Sequence, residues 1–382
     1  MERQTDLDWL RGLMLVLMTT THLPTWFSAH AGQPFGFVSA AEGFVFLSAY
    51  LVGSVYGSKA RRAGFDAMRR ALWGRTAKVY AAHVGLLLFL LLVLVPIAVS
   101  RDADAVTGLA SYALERPRLA LVSGLVLAYN PPLLDILPMY VLFLAITPFF
   151  LEHGLRRGWG ALLTLGAALW LFAQYGGGRH VYESVARLVD WPVPYSQTGA
   201  FSFLAWQLLW LIGVRAGALA QAPRVESAQP RPAPGKPMAR YGLWVAALLA
   251  AFFFAWRHVV GQVPFGTDAA LNVLFDKWHL GPLRLLNFAV LAVIVVHGRR
   301  VLAAWAERSS IATLGRASLT VFSVHLLLCL ALLALVGEPI HSQASLLDAV
   351  VLAGTLLTLY GVARLSLGGD HALRARRKAL AT

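Results

Sequence analysis

Cysteine is almost absent from this sequence, because Cys329 is the only one among 382 residues. A single cysteine excludes an intramolecular disulfide and any zinc site built from several cysteines. Charged residues are also scarce, at 14% against 58% hydrophobic residues, and the mean hydropathy is +0.63. Since a soluble domain has about 25% charged residues, this composition predicts an integral membrane protein.

Acidic residues are the scarcer charged type, with 19 Asp and Glu against 33 Lys and Arg and a formal net charge of +14. Nucleic-acid-binding proteins carry such an excess, but in membrane proteins basic residues collect in cytoplasmic loops. When the loops are assigned alternately to the two sides, 25 basic residues fall on one side and eight on the other. This split predicts that both termini are cytoplasmic, and no nucleic-acid partner is expected.

Long apolar runs recur along the whole chain. Ten are long enough to cross, or nearly cross, a bilayer core: 8–24, 36–57, 76–99, 133–151, 159–175, 200–219, 240–258, 283–298, 314–336 and 345–364. The predicted fold is therefore all-α and polytopic, with about ten transmembrane helices. We expect one domain over 1–382, with a Pro-rich cytoplasmic linker at about 221–239 and a flexible C-terminal tail at about 366–382.

The first apolar run carries polar side chains on one face. Arg11 and His22 are eleven positions apart, so on a helix they point within about 20° of each other, roughly 16 Å apart. Asp8 falls near the same stripe, and the absence of an A-x-A-like cleavage site predicts a retained helix. A buried neutral His22 has the free ring nitrogen that a general base needs. A histidine hydrogen-bonded for packing alone is the alternative.

Two other apolar runs carry ionisable groups at a similar predicted depth. Glu42 could orient the imidazole of His22 or bind an acceptor hydroxyl, or it could be a glutamate at a water-filled mouth. Ser318, Phe322 and His325 lie at i, i+4 and i+7, so they share a helix face and His325 could line the same cavity as His22. Whether His325 and His83 are functional or packed histidines is left open.

The densest basic cluster runs from Lys59 to Lys78. Cytoplasmic topology alone explains many such charges. Arg69, Arg70 and Arg75 directly precede a predicted helix, and guanidinium groups suit the bidentate binding of phosphates. The cluster could therefore hold the phosphates of a cytoplasmic nucleotide-like donor.

Several motifs run in order through nearly the whole chain. The first is the spacing of Arg11 and His22. The others are Asp8-Trp9-Leu10-Arg11-Gly12, Ala41-Glu42-Gly43-Phe44-Val45-Phe46-Leu47-Ser48, Asp135-Ile136-Leu137-Pro138-Met139-Tyr140, Phe203-Leu204-Ala205-Trp206-Gln207-Leu208-Leu209, Leu280-Gly281-Pro282-Leu283-Arg284 and Leu314-Gly315-Arg316-Ala317-Ser318. Together these motifs resemble the acyltransferase-3 group of membrane transferases, and more closely its OpgC branch, named for succinylation of osmoregulated periplasmic glucans.

The resemblance implies a multi-pass O-acyltransferase of the bacterial inner membrane that moves a succinyl or acetyl group. The donor would be cytoplasmic succinyl-CoA or acetyl-CoA, the acceptor a hydroxyl of a periplasmic glucan or other glycan, and no metal would be needed. It implies a catalytic set of His22 as general base with Glu42, Arg11 and Asp8. The implied donor-binding residues are Arg11, Arg69, Arg70, Arg75, Arg316, Ser318 and His325, and the implied acceptor-binding residues are Glu42, Asp135, Tyr140, Trp206 and Gln207. Membrane lipid is a further partner, and a homo-oligomer stays open.

A polytopic transporter or flippase is the rival hypothesis. Intramembrane Asp, Glu and His residues serve as proton relays in such proteins. Many of them also contain inverted repeats, and no internal repeat is visible in this sequence. The larger cytoplasmic basic cluster and the missing repeat favour the enzyme.

Overall fold

A computed structural model describes residues 5–221, 236–337 and 343–379 of the chain. The described residues contain helices, turns and loops but no β-strand. The predicted all-α class is therefore confirmed for this part of the chain. The predicted linker at 221–239 lies largely outside the described residues. The predicted flexible tail at 366–382 is helical as far as Ala379, and its last three residues lie outside.

Eighteen α-helices are described, and their bounds follow in chain order. They are α1 Thr5–His22, α2 Ser28–Ala31, α3 Ala40–Phe89, α4 Val95–Ser100, α5 Asp104–Leu109, α6 Ser111–Glu115, α7 Pro117–Leu125, α8 Ile136–Arg157, α9 Gly160–Gln174, α10 Gly177–Leu188, α11 Phe203–Ala220, α12 Lys236–Val260, α13 Ala269–Asn272, α14 Pro282–His297, α15 Arg299–Arg308, α16 Ile311–Arg316, α17 Ser318–Val336 and α18 Leu346–Ala379. A π-helix at Leu90–Leu94 joins α3 to α4, and short 3₁₀ helices lie at Tyr195–Gln197 and Val273–Phe275.

The number of membrane spans differs from the predicted ten. Each of the ten predicted stretches is helical, but within the described residues only six helical segments are long and apolar enough to cross a bilayer, or seven if the bent α14–α15 pair is one span. These six are Ala40–Ser100, Ile136–Arg157, Phe203–Ala220, Tyr241–Val260, Ser318–Val336 and Leu346–Gly369. The count of ten is therefore not confirmed. The chain is nevertheless a multi-pass membrane protein by the length and composition of these helices.

The shortfall has physical causes. Helix α1 carries three charged residues among its eighteen, Asp6, Asp8 and Arg11, while α9 has only fifteen residues. The second and third predicted stretches lie in one helical segment, whose regular backbone is interrupted at Gly64, where φ is 83°. Only glycine adopts that backbone conformation readily. The basic residues 59–78 therefore lie on helical backbone around Gly64, not in a loop before a helix.

The chain folds into two compact units, each assembled from separate stretches of sequence. Unit 1 contains 1–33, 85–118 and 298–382, and unit 2 contains 34–84 and 119–297. Both flanks of the undescribed 222–235 segment belong to unit 2, so the Pro-rich stretch does not separate the two units.

Unit 1 is built around α1, which packs against α15, α16 and α17. Two glycines allow the closest of these contacts. A Cβ on Gly12 would overlap the carbonyl group of Ile311, and a Cβ on Gly315 would overlap the carbonyl group of Asp8. The glycines of the two motifs around Arg11 and Arg316 therefore set the distance between α1 and α16.

Unit 2 contains the first part of α3 and helices α8 to α14. Helix α11 packs against α8 and α9, and α12 packs against α14. Small residues again allow close approach, because a Cβ on Gly217 would overlap the backbone of Tyr50 in α3. A buried aromatic cluster of Phe37, Phe253 and Phe275 lies beside α14.

Candidate active site

Arg11 bridges a break between two helices of unit 1. Helix α16 ends at Arg316, Ala317 leaves helical geometry with φ −100° and ψ 28°, and α17 begins at Ser318. The guanidinium of Arg11 donates to the carbonyl oxygen of Gly315 at 3.4 Å and to the hydroxyl of the buried Ser318. Since a helix end leaves carbonyl groups without intrahelical partners, Arg11 satisfies part of the broken α16–α17 backbone.

Asp8 lies one turn before Arg11 on α1 and is buried. Its Oδ2 is 3.9 Å from Nε of Arg316, a long ion pair with an exposed guanidinium. A second buried carboxylate, that of Asp6, accepts a hydrogen bond from Arg299. The N-terminal turns of α1 are therefore tied to α15 and α16 by charge.

His22 and His325 are in contact within unit 1. Nδ1 of His22 is 3.4 Å from Nε2 of His325, and the two rings are nearly parallel, with centroids 5.7 Å apart and planes inclined by 15°. His325 is fully buried, whereas His22, at the end of α1, is partly exposed. The ring of Phe322 packs edge-on against His325 at 4.9 Å. The partly exposed imidazole of His22 is thus in contact with the buried imidazole of His325.

Glu42 lies in unit 2 and is completely buried at the start of α3. Its Oε2 accepts from the backbone N–H of Ser39 at 3.0 Å and from the Ser39 hydroxyl at 2.5 Å, while Oε1 accepts from Nε of Arg284. Ser39 immediately precedes the helix, and Glu42 is its third residue. This is the acidic half of a capping box, in which the glutamate side chain returns to the N-cap N–H.

Arg284 is 1% exposed, so it forms a buried ion pair with Glu42. Its Nη1 donates to the Phe275 carbonyl at 3.3 Å, whereas Nη2 has no hydrogen-bond partner within the described residues. One turn later on α14, Asn287 accepts from the N–H of Phe37 at 2.8 Å. Both carboxylate oxygens of Glu42 are therefore already engaged by protein donors.

The predicted phosphate-binding arginines lie on α3 beyond Gly64. Arg69 is half-buried and pairs with Glu152, and it also donates to Asp66 at 2.9 Å. Arg70 is exposed and Arg75 is partly exposed. Arg69 is thus committed to ion pairs within unit 2, whereas Arg70 presents its guanidinium to solvent.

Asp135 directly precedes α8 and is buried. Its Oδ2 accepts from the backbone N–H of Ala200 at 3.0 Å. Burial raises the pKa of Asp135 to about 6, against the opposing effects of the Ala200 N–H and of Lys277. Burial likewise lowers the pKa of Lys277, whose ammonium lies 4.7 Å from the centre of the Trp278 ring.

The other predicted acceptor-binding residues hold helices of unit 2 together. The Tyr140 hydroxyl donates to the Phe44 carbonyl at 3.1 Å, and the fully buried Trp206 donates to the Trp278 carbonyl at 3.1 Å. The amide of Gln207 donates to the Gly166 carbonyl at 2.7 Å. Each of these side chains is buried and makes a contact with backbone, so packing is part of their role.

The predicted site residues thus fall into two groups. Unit 1 brings together the residues of α1 and the α16–α17 region, and unit 2 contains the others. The first set is Asp8, Arg11, His22, Arg316, Ser318 and His325. The sequence reasoning missed Ser39 and Asn287, although Ser39-x-x-Glu42 before an apolar run is a recognisable capping-box signal. His83, left open above, is buried and lies 3.2 Å from the Gly124 carbonyl through Nε2.

Within the described residues, no three His, Cys, Asp or Glu side chains lie close enough together to hold a metal ion. The family model described as "OpgC protein" matches residues 3–367 of this chain. No curated protein and no solved structure matches it. The family match includes most of both units and every site residue named above.

Proposed function

Since the chain belongs to the OpgC family, we propose that it is a membrane O-acyltransferase acting on glucans or other glycans. The donor is succinyl-CoA or acetyl-CoA from the cytoplasm, and the acceptor is a hydroxyl group of a periplasmic glycan. The protein resides in the bacterial inner membrane, where two such substrates can reach it from opposite sides.

His22 is the general base of this reaction. A ring nitrogen of His22 takes the proton of the acceptor hydroxyl as its oxygen attacks the carbonyl carbon of the thioester. The new C–O bond forms, the C–S bond breaks, and the leaving CoA thiolate takes the proton back from the imidazolium. The imidazole is thereby regenerated, and the products are the glycan ester and free CoA thiol.

The observation that carries this proposal is the contact between the partly exposed His22 and the buried His325. A catalytic base has to be reachable by substrate and also oriented by a second group. His22 has both properties. His83, by comparison, is fully buried against a backbone carbonyl, which is the environment of a packed histidine.

The donor phosphates are bound by basic residues, of which Arg70 and Arg75 are the clearest candidates. Both lie on α3 outside the ion pairs that engage Arg69. Their removal should weaken donor binding and leave the chemical step unchanged. Arg70→Ala is therefore expected to raise the donor KM by roughly tenfold, equivalent to about 1.4 kcal/mol, with kcat unaltered.

The test uses purified full-length protein in nanodiscs with radiolabelled succinyl-CoA or acetyl-CoA and an extracted periplasmic glucan. Release of CoA thiol and label on the glycan are measured together, and mass spectrometry identifies the ester. His22→Ala should lower transfer by about 10²- to 10⁴-fold, the usual contribution of a general base. His83→Gln is the matched control, because His83 is a buried histidine within a membrane-spanning segment.

Both variants must elute as the wild type does on size-exclusion chromatography. Near-normal transfer by folded His22→Ala would refute the role of His22. Movement of the glycan or donor across the membrane without thioester consumption would refute the transferase and favour the transporter.

A further inference from the structure

We propose that His325 is a positioning residue that fixes the tautomer of His22. The inference rests on the proposed function, in which His22 is the base. It changes the role of His325, which the family resemblance places among the donor-binding residues. His325 acts here through its contact with another side chain and not on the substrate.

The contact between the two rings requires one donor and one acceptor. The Nδ1 of His22 and the Nε2 of His325 are 3.4 Å apart. Two neutral imidazoles can meet in this way only if one nitrogen carries the proton and the other presents its lone pair. The tautomer of one ring therefore determines the tautomer of the other.

The proposed role of His22 as the base requires one of the two arrangements. If Nδ1 of His22 donates to Nε2 of His325, the Nε2 of His22 carries a lone pair in place of a hydrogen, which is what a base needs. The proton of His325 then lies on its Nδ1, which is buried and makes no hydrogen bond with the described residues, so the contact with His22 is the interaction that decides its position.

The opposite arrangement would disable His22. If Nε2 of His325 donated, Nδ1 of His22 would hold the lone pair and its Nε2 would carry hydrogen. The Nε2 nitrogen could then not accept the acceptor proton. Burial explains why His325 is the positioning member of the pair, because it is 0% exposed and no substrate hydroxyl can reach it without rearrangement.

Two substitutions separate the hydrogen bond from packing. His325→Phe keeps a ring against Phe322 but removes the acceptor, and His325→Gln keeps an amide oxygen that can accept from His22. We expect His325→Phe to lower kcat by about 10- to 100-fold, a part of the general-base contribution, with little change in donor KM. His325→Gln should recover most of that loss.

The independent readout is the tautomer of His22, measured by NMR on full-length protein labelled with ¹⁵N-histidine in nanodiscs. Signals of His22 are identified by their loss in His22→Ala. Wild type and His325→Gln should show His22 protonated at Nδ1, and His325→Phe should show a shift towards the Nε2–H form. An Nε2–H form in the wild type, or an unchanged tautomer in His325→Phe, would overturn the proposal.

The two failures are distinguishable. If the wild type shows no transfer at all, the proposed function fails while the NMR result still decides the pairing. If His22→Ala is inactive and folded His325→Phe retains full kcat, the function stands and the positioning role is wrong.

A second inference rests on a different observation, the surface of α10 in unit 2. We infer that α10 lies in the membrane interface, with one flank in contact with lipid. Val181, Val185 and Leu188 are spaced i, i+4 and i+7 and are 49%, 53% and 84% exposed. These positions fall within about 60° of one another around the helix, so they form a narrow apolar stripe on the surface.

The other flanks of α10 differ from this stripe. Arg179, Glu183 and Arg187 follow at i, i+4 and i+8 on the opposite side, where Arg179 pairs with Glu183 at 2.6 Å. Between the two flanks, Tyr182 packs towards the protein and its hydroxyl donates to the Val193 carbonyl at 2.8 Å. One flank therefore suits lipid, one suits water, and one contacts the protein, as in interfacial helices.

The neighbouring sequence supports lipid as the occupant. Helix α10 directly follows the apolar α9, on which Leu165 and Leu171 are exposed. Tyr175 lies between α9 and α10 and is 79% exposed. Tyrosine is enriched at the membrane–water boundary. The chain thus reaches α10 at the point where an apolar helix ends.

Spin labelling tests this placement, because the sequence has one cysteine. In a Cys329→Ala background, nitroxides are attached at Val185→Cys and Leu188→Cys, with His180→Cys and Arg187→Cys as controls on the exposed polar side. The protein is reconstituted into phosphatidylethanolamine–phosphatidylglycerol vesicles. The first two labels should be relaxed by oxygen and protected from a water-soluble nickel chelate, and the two controls should show the reverse. Equal access of the chelate to all four labels, or immobile labels protected from both reagents, would overturn the assignment.

Discussion

Removing the charge of Glu42 should destabilise the protein much more than removing an exposed charge. The side chain of Glu42 is 0% exposed and that of Arg284 is 1% exposed. Among the described residues, neither has another opposite charge in direct contact. Breaking a buried ion pair by removing one partner typically costs about 3–5 kcal/mol, because the remaining charge stays buried. Glu42→Gln is the cleanest perturbation, since glutamine can still accept from the N–H of Ser39 in the capping box.

The double variant Glu42→Gln/Arg284→Met gives the decisive comparison. It removes both charges, so neither is left buried without a partner. The remaining cost is the lost hydrogen bond from Arg284 to the Phe275 carbonyl. An unsatisfied buried acceptor costs about 1–3 kcal/mol. Each single variant should therefore cost about 3–5 kcal/mol, while the double variant costs less than either. The expected coupling free energy is about 3 kcal/mol or more.

The assay is denaturant unfolding in detergent, followed by tryptophan fluorescence and analysed as a double-mutant cycle. Arg179→Gln with Glu183→Gln is the matched control, an exposed ion pair of the same unit whose coupling should be much smaller because solvent screens it. Additive losses for Glu42 and Arg284 within about 0.5 kcal/mol would refute the reasoning. A mild stability loss with abolished transfer in Glu42→Gln would favour the catalytic or acceptor-binding role predicted from the sequence.

Two other predictions concern packing and pH. Gly12→Ala should cost about 1–3 kcal/mol by overpacking against Ile311. Gly74 has open space around it, so Gly74→Ala should stabilise the protein by up to about 1 kcal/mol through helix propensity. Thermal unfolding in detergent compares the two variants, and equal effects would contradict the close approach of α1 and α16. Asp135 has a folded-state pKa of about 6, against 3.8 ordinarily, so the folded protein binds this proton more tightly than the unfolded chain does. The free energy of unfolding should therefore fall as the pH rises from about 4 to above 6. The expected fall is roughly 3 kcal/mol, at about 1.4 kcal/mol per pKa unit. Asp135→Asn should abolish that fall and be the more stable protein at pH 8, and a pH profile identical to the wild type would contradict the assignment.

Composition was sufficient to predict the all-α membrane fold, because apolar runs and the scarcity of charge are properties that any packing arrangement preserves. Helix spacing likewise placed Arg11 and His22 on one face of α1, and α1 is helical from Thr5 to His22. The span count was less predictable. Whether the charged α1 and the short α9 cross the membrane depends on how neighbouring helices shield them. Sequence periodicity does not contain that information.

Partners across the fold were the least predictable part of the site. Nothing near Glu42 in sequence indicates Arg284, which is 242 positions away, since an ion pair between distant helices is set by tertiary packing. By contrast, the Ser39-x-x-Glu42 capping pattern can be recognised in the sequence. It explains an acidic residue at position 42, because the carboxylate accepts from the N–H of Ser39. The predicted catalytic role of Glu42 therefore has to be tested against a role that the fold already requires.

The spacing of Arg11 and His22 has a counterpart in α17. Arg11 contacts Ser318 and His22 contacts His325, so α1 and α17 run in the same direction. Ser318 and His325 are seven residues apart, about 10.5 Å at 1.5 Å per residue, whereas Arg11 and His22 are about 16 Å apart. The long Arg11 side chain spans the difference. Because both contacts fix the register of α1 on α17, a one-residue shift would rotate His22 by about 100° away from His325. The ten residues between Arg11 and His22 are thus a structural requirement of the histidine pair.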